Sequence, residues 1–251
     1  MHKYKTPLLI IALCAIIAVL NLLLDDVDSI SVNISEGTIT AHSDEKNDIP
    51  DSPYFKHIDF YNMQPAEHML LLTKFKTRQQ QTGYTCGPAA ALMVVEYLNG
   101  APLHTELEMG KIMHTSQYNG TNTKGMRKYF QHIGWQVRSS ADSQTPGNYK
   151  AFSAFVQDHL RRGIPIIVEN VDWGGHWRVI IGYDTMNTPN AGVDMLIMAD
   201  PFDRADHMQD GYVIEPAEKF FYMWFDHQLF SKSEQRRQWL IAVPPDFPEK
   251  I

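Results

Sequence analysis

The order of apolar runs along the chain predicts an α+β fold, preceded by one transmembrane helix. Runs with helical spacing come first, between Cys86 and His132, and β-like runs dominate from Ile164 to Val243. Helices followed by a group of neighbouring strands are typical of α+β proteins, whose strands form an antiparallel sheet. The chain has 251 residues, of which 44% are hydrophobic and 20% charged. It can therefore form the core of one ordinary domain, and disorder throughout is excluded.

Residues 1–24 are predicted to be a membrane anchor. Residues 7–24 carry no charge, and Lys3 and Lys5 precede them. A helix of 18 residues is about 27 Å long, close to the thickness of the hydrocarbon layer of a bilayer. The segment ends without the small residues of a signal-peptidase site, so an uncleaved signal anchor is favoured over a cleaved signal segment. The lysines place the amino terminus in the cytoplasm and the rest of the chain in the periplasm or outside the cell; secretion after cleavage is the alternative.

An acidic linker, residues 25–65, is predicted between the anchor and a domain that spans residues 66–251. Between Asp25 and Asp59 the chain has nine acidic residues and two lysines, which accounts for the whole net charge of −7. The remaining charge is balanced, so no basic surface and no nucleic-acid partner are expected. Within the linker, residues 30–34 alternate in polarity and are predicted to form a short strand.

Five helices are predicted in the domain from apolar spacing and from the glycines that stop them. They cover residues 86–98, 105–114, 124–132, 149–162 and 217–225. The first is apolar on nearly all sides, so it should lie buried in the middle of the domain, with Pro88 tolerated in its first turn and Gly100 after its end. The last contains an aromatic run, residues 220–225, which is predicted to pack in the core and not to form a substrate groove.

Five strands are predicted, each bounded by turn residues. They cover residues 135–139, 164–169, 177–183, 193–199 and 239–243. The third and fourth flank a turn-rich loop, so they are expected to form an antiparallel hairpin. If they pair about Thr188, His176 stands directly opposite Asp200, with about 5 Å between their Cβ atoms. Asp200 could then accept a hydrogen bond from the imidazole and fix its orientation.

Cys86 is the strongest candidate for a catalytic residue in the sequence. The chain has two cysteines, too few for a disulfide scaffold, and Cys14 lies in the apolar segment. A free thiol has a pKa near ~8.5, and the start of a helix favours the thiolate because of its unpaired amides and its dipole. Cys86 begins the predicted central helix, and the amides there could also stabilise a carbonyl oxygen that becomes negative during attack. These features favour a nucleophile over the commoner role of a buried structural cysteine.

His176 is the candidate base among eleven histidines. It follows Gly174 and Gly175 and stands where a β-like run begins, while the other histidines have no distinctive surroundings and are expected at the surface or its boundary. Trp173 and Trp177, on either side of it, are predicted to form walls of a cleft.

No cofactor and no metal are expected. The acids of Asp200-x-x-Asp203-x-x-Asp206 are spaced by three, but they lack the glycine and the terminal glutamate of a calcium loop. No histidine pair has zinc-ligand spacing with a cysteine partner.

Four blocks of sequence, taken together, carry a family resemblance. They are residues 80–89 (QQTGYTCGPA), 163–168 (GIPIIV), 175–183 (GHWRVIIGY) and 200–201 (DP). In this order they resemble papain-like cysteine peptidases, and most closely the bacteriocin-processing (double-glycine leader) peptidase-like family. The resemblance extends over roughly residues 73–243. It implies a papain-like fold with a helical part around a central helix and a C-terminal antiparallel sheet.

The resemblance also implies roles for individual residues. Cys86 would be the nucleophile, His176 the general base and Asp200 the residue that orients the histidine. A glutamine before the cysteine would donate a hydrogen bond to the oxyanion; Gln80 has the expected spacing and Gln81 is the rival. Thr85 stands where transporter-linked members have an acidic residue, and no transporter domain follows, so cleavage after a Gly-Gly leader is not carried over.

The expected function is a membrane-anchored cysteine peptidase or amidase that acts on a peptide or protein through an acyl-enzyme. One alternative is an acyl or peptidyl transferase with the same triad, similar to phytochelatin synthase or transglutaminase. The other is a catalytically silent module that binds peptides.

Overall fold

The computed structural model describes residues 53–226, 232, 235, 237–248 and 251. The predicted anchor, most of the predicted linker and the short strand predicted at residues 30–34 lie outside this part of the chain. Among the described residues, no helix is both long enough and apolar enough to cross a membrane.

The described residues form five α-helices and seven β-strands. The helices are α1 (Cys86–Asn99), α2 (Glu106–Met113), α3 (Thr123–His132), α4 (Tyr149–Arg161) and α5 (Ala217–Met223). The strands are β1 (Met69–Leu71), β2 (Gln136–Ser139), β3 (Ile166–Asn170), β4 (His176–Asp184), β5 (Met195–Ala199), β6 (Tyr212–Pro216) and β7 (Gln238–Val243). All ten elements predicted in the domain are present, and each predicted end lies within two residues of the observed one.

All the strands belong to one antiparallel sheet, which confirms the α+β prediction. Its order is β2-β7-β3-β4-β5-β6, and β1 pairs with the second half of β4, beyond the end of β3. One edge of the long strand β4 therefore pairs with β3 and then β1, and its other edge pairs with β5 from Val179 onward. Helix α1 packs against β4. The two elements that carry Cys86 and His176 are thus in direct contact.

Helix α1 is the central helix that the sequence predicts. Its residues 86–96 are all buried, so the helix crosses the interior with little polar surface. The aromatic run of residues 220–225 is mostly core, as predicted: Phe220, Phe221 and Trp224 are buried, and only Tyr222 is widely exposed. Because α1 is fixed on all sides, its first residue has a well-defined position.

Two strands, β1 and β6, are absent from the sequence prediction. Strand β1 has three residues, too few for alternation to be recognised. In β6 the alternation is inverted, since Ile214 is 48% exposed while Glu215 is 7% exposed. Glu215 is buried because it accepts a hydrogen bond from the Arg178 guanidinium at 3.0 Å. This ion pair between strands replaces the apolar contact that a sequence pattern would reveal.

The predicted register of the β4–β5 hairpin is wrong by two residues. Val179 pairs with Ala199, so the register places Asp200 beside Arg178 and not directly opposite His176. The loop is asymmetric, because residues 191–193 form a turn of 3₁₀ helix and a bulge interrupts β4 after Ile180. Side chains along a strand alternate with a period of two, so a shift of two residues leaves His176 and Asp200 on the same face.

Gly87, next to Cys86, is expected to tolerate no side chain. A Cβ atom there would lie 2.6 Å from the Cβ of Thr121, whose carbonyl accepts a hydrogen bond from the Trp177 indole at 2.8 Å. We expect Gly87→Ala to lower the free energy of unfolding by about 1–3 kcal/mol, as overpacking does elsewhere. Gly110 in α2 is the matched control, since a Cβ there meets nothing closer than 3.6 Å.

Gly110→Ala should be neutral or stabilising by up to about 1 kcal/mol, because alanine favours a helix. Urea unfolding of the two variants compares the effects. Equal effects at the two positions would contradict the close contact between Gly87 and Thr121.

Candidate active site

Cys86 is the first residue of α1, and its thiol is free and buried, with 7% of the residue exposed. The three helices that follow have side-chain caps at their starts, from Thr105, Asn122 and Asn148. Helix α1 has no side-chain cap and no acidic residue in its first turn. The amides at the start of a helix have no partner within it, and they carry the positive end of its dipole. An anion on the sulfur would therefore be stabilised here.

The loop before Cys86 is attached to the turn after β5. The backbone N–H of Gln80 donates to the carbonyl of Pro201 at 2.7 Å. The Gln79 amide donates to the carbonyl of Asp200 at 2.9 Å and accepts from the N–H of Asp203 at 3.2 Å. These bonds hold two segments together that are more than a hundred residues apart in the sequence.

His176 and Asp200 form a buried hydrogen-bonded pair. The Nε2 of His176 lies 2.7 Å from the Oδ1 of Asp200. Burial alone would raise the pKa of Asp200, but the charges of His176 and Arg178 and their hydrogen bonds leave it lowered. Burial alone would lower the pKa of His176, but Asp200 and Cys86 raise it to about 9. Both shifts favour the charged forms, an imidazolium and a carboxylate.

The Cys86 side chain lies close enough to the His176 imidazole to raise its pKa. Because Nε2 is bonded to Asp200, Nδ1 is the nitrogen that remains for the sulfur. The structure thus brings the three predicted residues Cys86, His176 and Asp200 together at one place.

The two candidate glutamines have different surroundings. Gln80 is buried, and its amide donates to the carbonyl of Thr82 at 2.7 Å. Its Oε1 has no hydrogen-bond partner among the described residues. Gln81 is exposed, and its backbone N–H donates to the Glu106 carboxylate at 2.8 Å. The buried position of Gln80 favours it over Gln81 as a group that faces the interior of the site.

Three other predictions at the site have mixed outcomes. Trp173 lines a cleft of about 310 Å³ together with Asp200, as expected for a wall. Trp177 is 2% exposed and belongs to the core, so the prediction that it lines the cleft is wrong. It follows His176 in β4, and consecutive side chains point to opposite faces of a sheet. His159 is also buried, bonded to the carbonyl of Phe155, and is not a surface residue.

The aspartates spaced by three do not form a metal site in this structure. Asp203 accepts hydrogen bonds from the backbone N–H groups of Ala205 and Gly211. Within the part of the chain that the structure describes, no group of three or more His, Cys, Asp and Glu side chains is arranged to hold a metal ion.

Glu169 is a buried acid near the site that the sequence prediction did not identify. It lies in β3, and its pKa is raised well above its ordinary value by burial, by the nearby Asp226 carboxyl and by Cys86. A raised pKa favours the protonated form of the Glu169 carboxyl. The only signal in the sequence is an acid in a strand that is otherwise buried and apolar.

Glu169→Gln is expected to change how stability depends on pH. A carboxyl whose pKa is raised in the folded protein favours folding below its unfolded value and loses that contribution as the pH rises through the folded value. The stability of the variant relative to wild type should therefore increase as the pH rises above 4.5, the ordinary pKa of a glutamate, toward the raised folded value. Urea unfolding at several pH values measures this difference, and a difference independent of pH would show that Glu169 is ionised in the folded protein.

An antiparallel sheet packed on a central helix, with a cysteine at the start of that helix, defines a cysteine peptidase-like hydrolase with a papain-like fold. The model of the Peptidase_C39 like family matches residues 72–226, more than half of the chain. The protein belongs to this family. Among curated protein sequences, none matches the chain.

Solved structures that are similar to this chain include the peptidase domain of Streptococcus ComA, a bi-functional ABC transporter involved in a quorum-sensing pathway. It is 19% identical, with a TM-score of 0.46, and the match covers 68% of this chain and 98% of that one. Another is a double glycine motif protease from an AMS/PCAT transporter, in complex with the leader peptide. It is 16% identical, with a TM-score of 0.40, and the match covers 67% of this chain and 90% of that one. UfSP from C. elegans matches at 13% identity and a TM-score of 0.47, covering 81% of this chain and 40% of that one. Since these TM-scores are below 0.5, the family assignment rests on the family model.

Proposed function

We propose that the protein is a membrane-anchored cysteine peptidase or amidase that uses Cys86, His176 and Asp200 as a catalytic triad. The observation that carries this proposal is the buried imidazole of His176, which is hydrogen-bonded to Asp200 and lies close enough to Cys86 for the cysteine to raise its pKa. Membership of a peptidase-like family supports a peptide or protein as the substrate.

The reaction begins with attack of the Cys86 thiolate on an amide carbonyl carbon. The carbonyl oxygen becomes negative and accepts hydrogen bonds from the Cys86 backbone N–H and from the Gln80 amide. The carbon–nitrogen bond then breaks, and the His176 imidazolium gives its proton to the leaving amine. A thioester on Cys86 remains. Water attacks the thioester after giving a proton to His176, and the carboxylic acid leaves, restoring the thiolate and the imidazolium.

Asp200 holds the imidazole in place through Nε2 and stabilises its positive charge. The raised pKa of His176, about 9, supports an imidazolium that is ready to protonate the leaving amine at neutral pH. The uncapped start of α1 supports the negative charges on the sulfur and on the oxyanion.

Capture of the thioester tests the proposal. Incubation with a peptide library, followed by acid quenching and mass spectrometry, should find an acyl group on Cys86 of the wild-type protein. Hydroxylamine should convert the acyl group to a hydroxamate. An added amine, such as glycine methyl ester, separates the hydrolase from the transferase: a transferase forms mainly the amine adduct, while a hydrolase forms mainly the free acid. If no peptide acylates Cys86, the protein is a silent binding module.

The location forms a separate part of the proposal. Residues 1–24 would hold the protein in the membrane, residues 25–65 would serve as a linker, and the domain of residues 66–251 would lie outside the cytoplasm. Extraction with alkaline carbonate should leave the full chain in the membrane fraction. Its amino-terminal peptide, identified by mass spectrometry, should retain residues 1–24. A chain that begins after residue 24 would instead indicate secretion after cleavage.

A further inference from the structure

A cleft of about 310 Å³ lies beside the proposed triad and is not used by the mechanism above. Its walls include Trp173, Arg178, Asp200, Phe202 and Arg204. We call it the arginine cleft.

The arginine cleft borders the Asp200 end of the proposed triad. Asp200, one of its walls, contacts the Nε2 of His176. The ring of Phe202, another wall, lies 6.4 Å from the His176 ring between centroids. The imidazole gives its proton to the leaving amine, so the leaving part of the substrate starts beside His176. A leaving chain that extends past the imidazole would reach this cleft.

The two arginines of the cleft differ in their partners. The Arg178 guanidinium is neutralised: its Nη2 lies 3.0 Å from both the Asp172 and the Glu215 carboxylates, and its Nη1 lies 4.0 Å from Asp200. Arg204, by contrast, has no hydrogen-bond partner among the described residues for its buried Nε and Nη2.

The carboxylates near Arg204 already accept hydrogen bonds from other groups. Asp200 accepts from His176 and from the N–H of Phe202, and Asp203 accepts from two backbone N–H groups. Burial lowers the pKa of Arg204, and only the charge of Asp203 opposes this. Buried guanidinium nitrogens need hydrogen-bond acceptors, and a carboxylate supplies them with matching geometry. The Nε and Nη2 of Arg204 are therefore donors that none of the described residues uses.

Aromatic rings pack around the Arg204 guanidinium. The Arg204 guanidinium lies over the Phe202 ring, 5.2 Å from its centroid. The Trp173 and Phe202 rings are packed in a T shape, with 5.3 Å between their centroids. Trp173 is 68% exposed and has a left-handed backbone, with φ of 55°. This conformation is unfavourable for an aromatic residue, and such strain concentrates at functional sites. Here it places an indole at the mouth of the cleft.

We propose that the arginine cleft binds a carboxylate on the leaving side of the scissile bond, with Arg204 as its hydrogen-bond donor. The carboxylate is either the side chain of an Asp or Glu that follows the cleaved bond or the C-terminal carboxylate of a short leaving group. This proposal rests on the proposed function, since it names a substrate feature of the same site.

The test is a cleavage-site profile of the purified full chain in detergent. A proteome-derived peptide library is digested, once with free C-termini and once amidated, and the sites are identified by mass spectrometry. An excess of Asp and Glu after the cleaved bond in both libraries assigns the cleft to acidic side chains. Loss of cleavage on amidation assigns it to the C-terminal carboxylate.

Matched peptides then measure the role of Arg204. The wild-type protein should prefer the carboxylate peptide to its neutral amide counterpart by about 10- to 100-fold in kcat/KM, as expected for a charge-assisted hydrogen bond. Arg204→Gln should reduce that ratio to about one, and Arg204→Lys should retain part of it. Arg161, which bonds Gln157 on the surface of α4, is the control: Arg161→Gln should keep the full ratio.

Two outcomes overturn the subsite: equal use of acid and amide peptides by the wild type, or an unchanged preference in Arg204→Gln. Acylation of Cys86 is measured in the same samples. If Cys86 is acylated without any preference for a carboxylate, only the subsite is wrong. If no peptide acylates Cys86, the proposed function fails, and the subsite fails with it.

Discussion

Cys86→Ala is expected to abolish turnover, lowering kcat/KM by about 10⁴-fold or more, as loss of a nucleophile does in other covalent hydrolases. Alanine removes the only atom that can form the thioester. The fold should persist, because alanine is smaller than cysteine and suits the first turn of a helix. Cys86→Ser should be almost as inactive, since a hydroxyl stays protonated where a thiol ionises. The measurement is cleavage of a library peptide by each purified variant.

Cys14→Ser is the matched control, since it changes the only other cysteine of the chain. Cys14 lies in the predicted anchor, outside the described residues, so this variant should keep full activity. Substantial activity in Cys86→Ala would contradict the proposed mechanism, whatever the behaviour of Cys14→Ser.

Asp200→Asn is expected to have the second largest effect, on both the rate and its pH dependence. Burial alone would lower the pKa of His176, and the Asp200 charge is the first of the interactions that raise it to about 9. In the wild type, activity should fall as the pH rises through about 9, because the imidazolium that protonates the leaving amine is lost. Without the carboxylate this limit should move to lower pH, and kcat/KM at neutral pH should fall by about 10²- to 10⁴-fold.

The His176–Asp200 pair also affects how the free energy of unfolding depends on pH. A histidine whose pKa is raised on folding favours the folded state fully below its unfolded pKa and loses that contribution as the pH rises through about 9. Asp200→Asn should remove this pH dependence. Asp158→Asn is the control, because the exposed Asp158 of α4 forms a salt bridge with Arg162 at 3.4 Å and should affect neither profile. If activity falls at the same alkaline pH in Asp200→Asn and in the wild type, the titration of His176 does not cause that fall.

Most of the fold could be predicted from the sequence because its elements have strong local signals. Apolar runs and the glycines that follow them locate the helices and central strands to within two residues. Strand β6 could not be predicted, because Glu215 is buried by a pairing with Arg178 that depends on the sheet. The hairpin register was wrong because a bulge and a turn of 3₁₀ helix are not visible in the apolar pattern.

The candidate site was predictable to a similar degree and for a related reason. Cys86, His176 and Asp200 stand at the ends of elements, next to glycine or proline, where a local pattern can be recognised. The error of two residues in the predicted register still placed His176 and Asp200 on the same face of the sheet, because side chains along a strand alternate with a period of two. Glu169 and Arg204 were missed because their significance depends on long-range packing: Glu169 meets Asp226, and Arg204 lies over Phe202 in a cleft that several elements form.

The central claim is that the Cys86 sulfur and the His176 imidazole act as one unit. Alkylation of Cys86 by iodoacetamide, measured against pH in the Cys14→Ser protein, tests it without any substrate. An ordinary thiol is only about 1% thiolate at pH 6.5. At pH 6.5 we expect Cys86 to react at least about tenfold faster than an ordinary thiol, and we expect His176→Ala to return its rate to that of an ordinary thiol. A rate that follows an ordinary thiol in both proteins would contradict it.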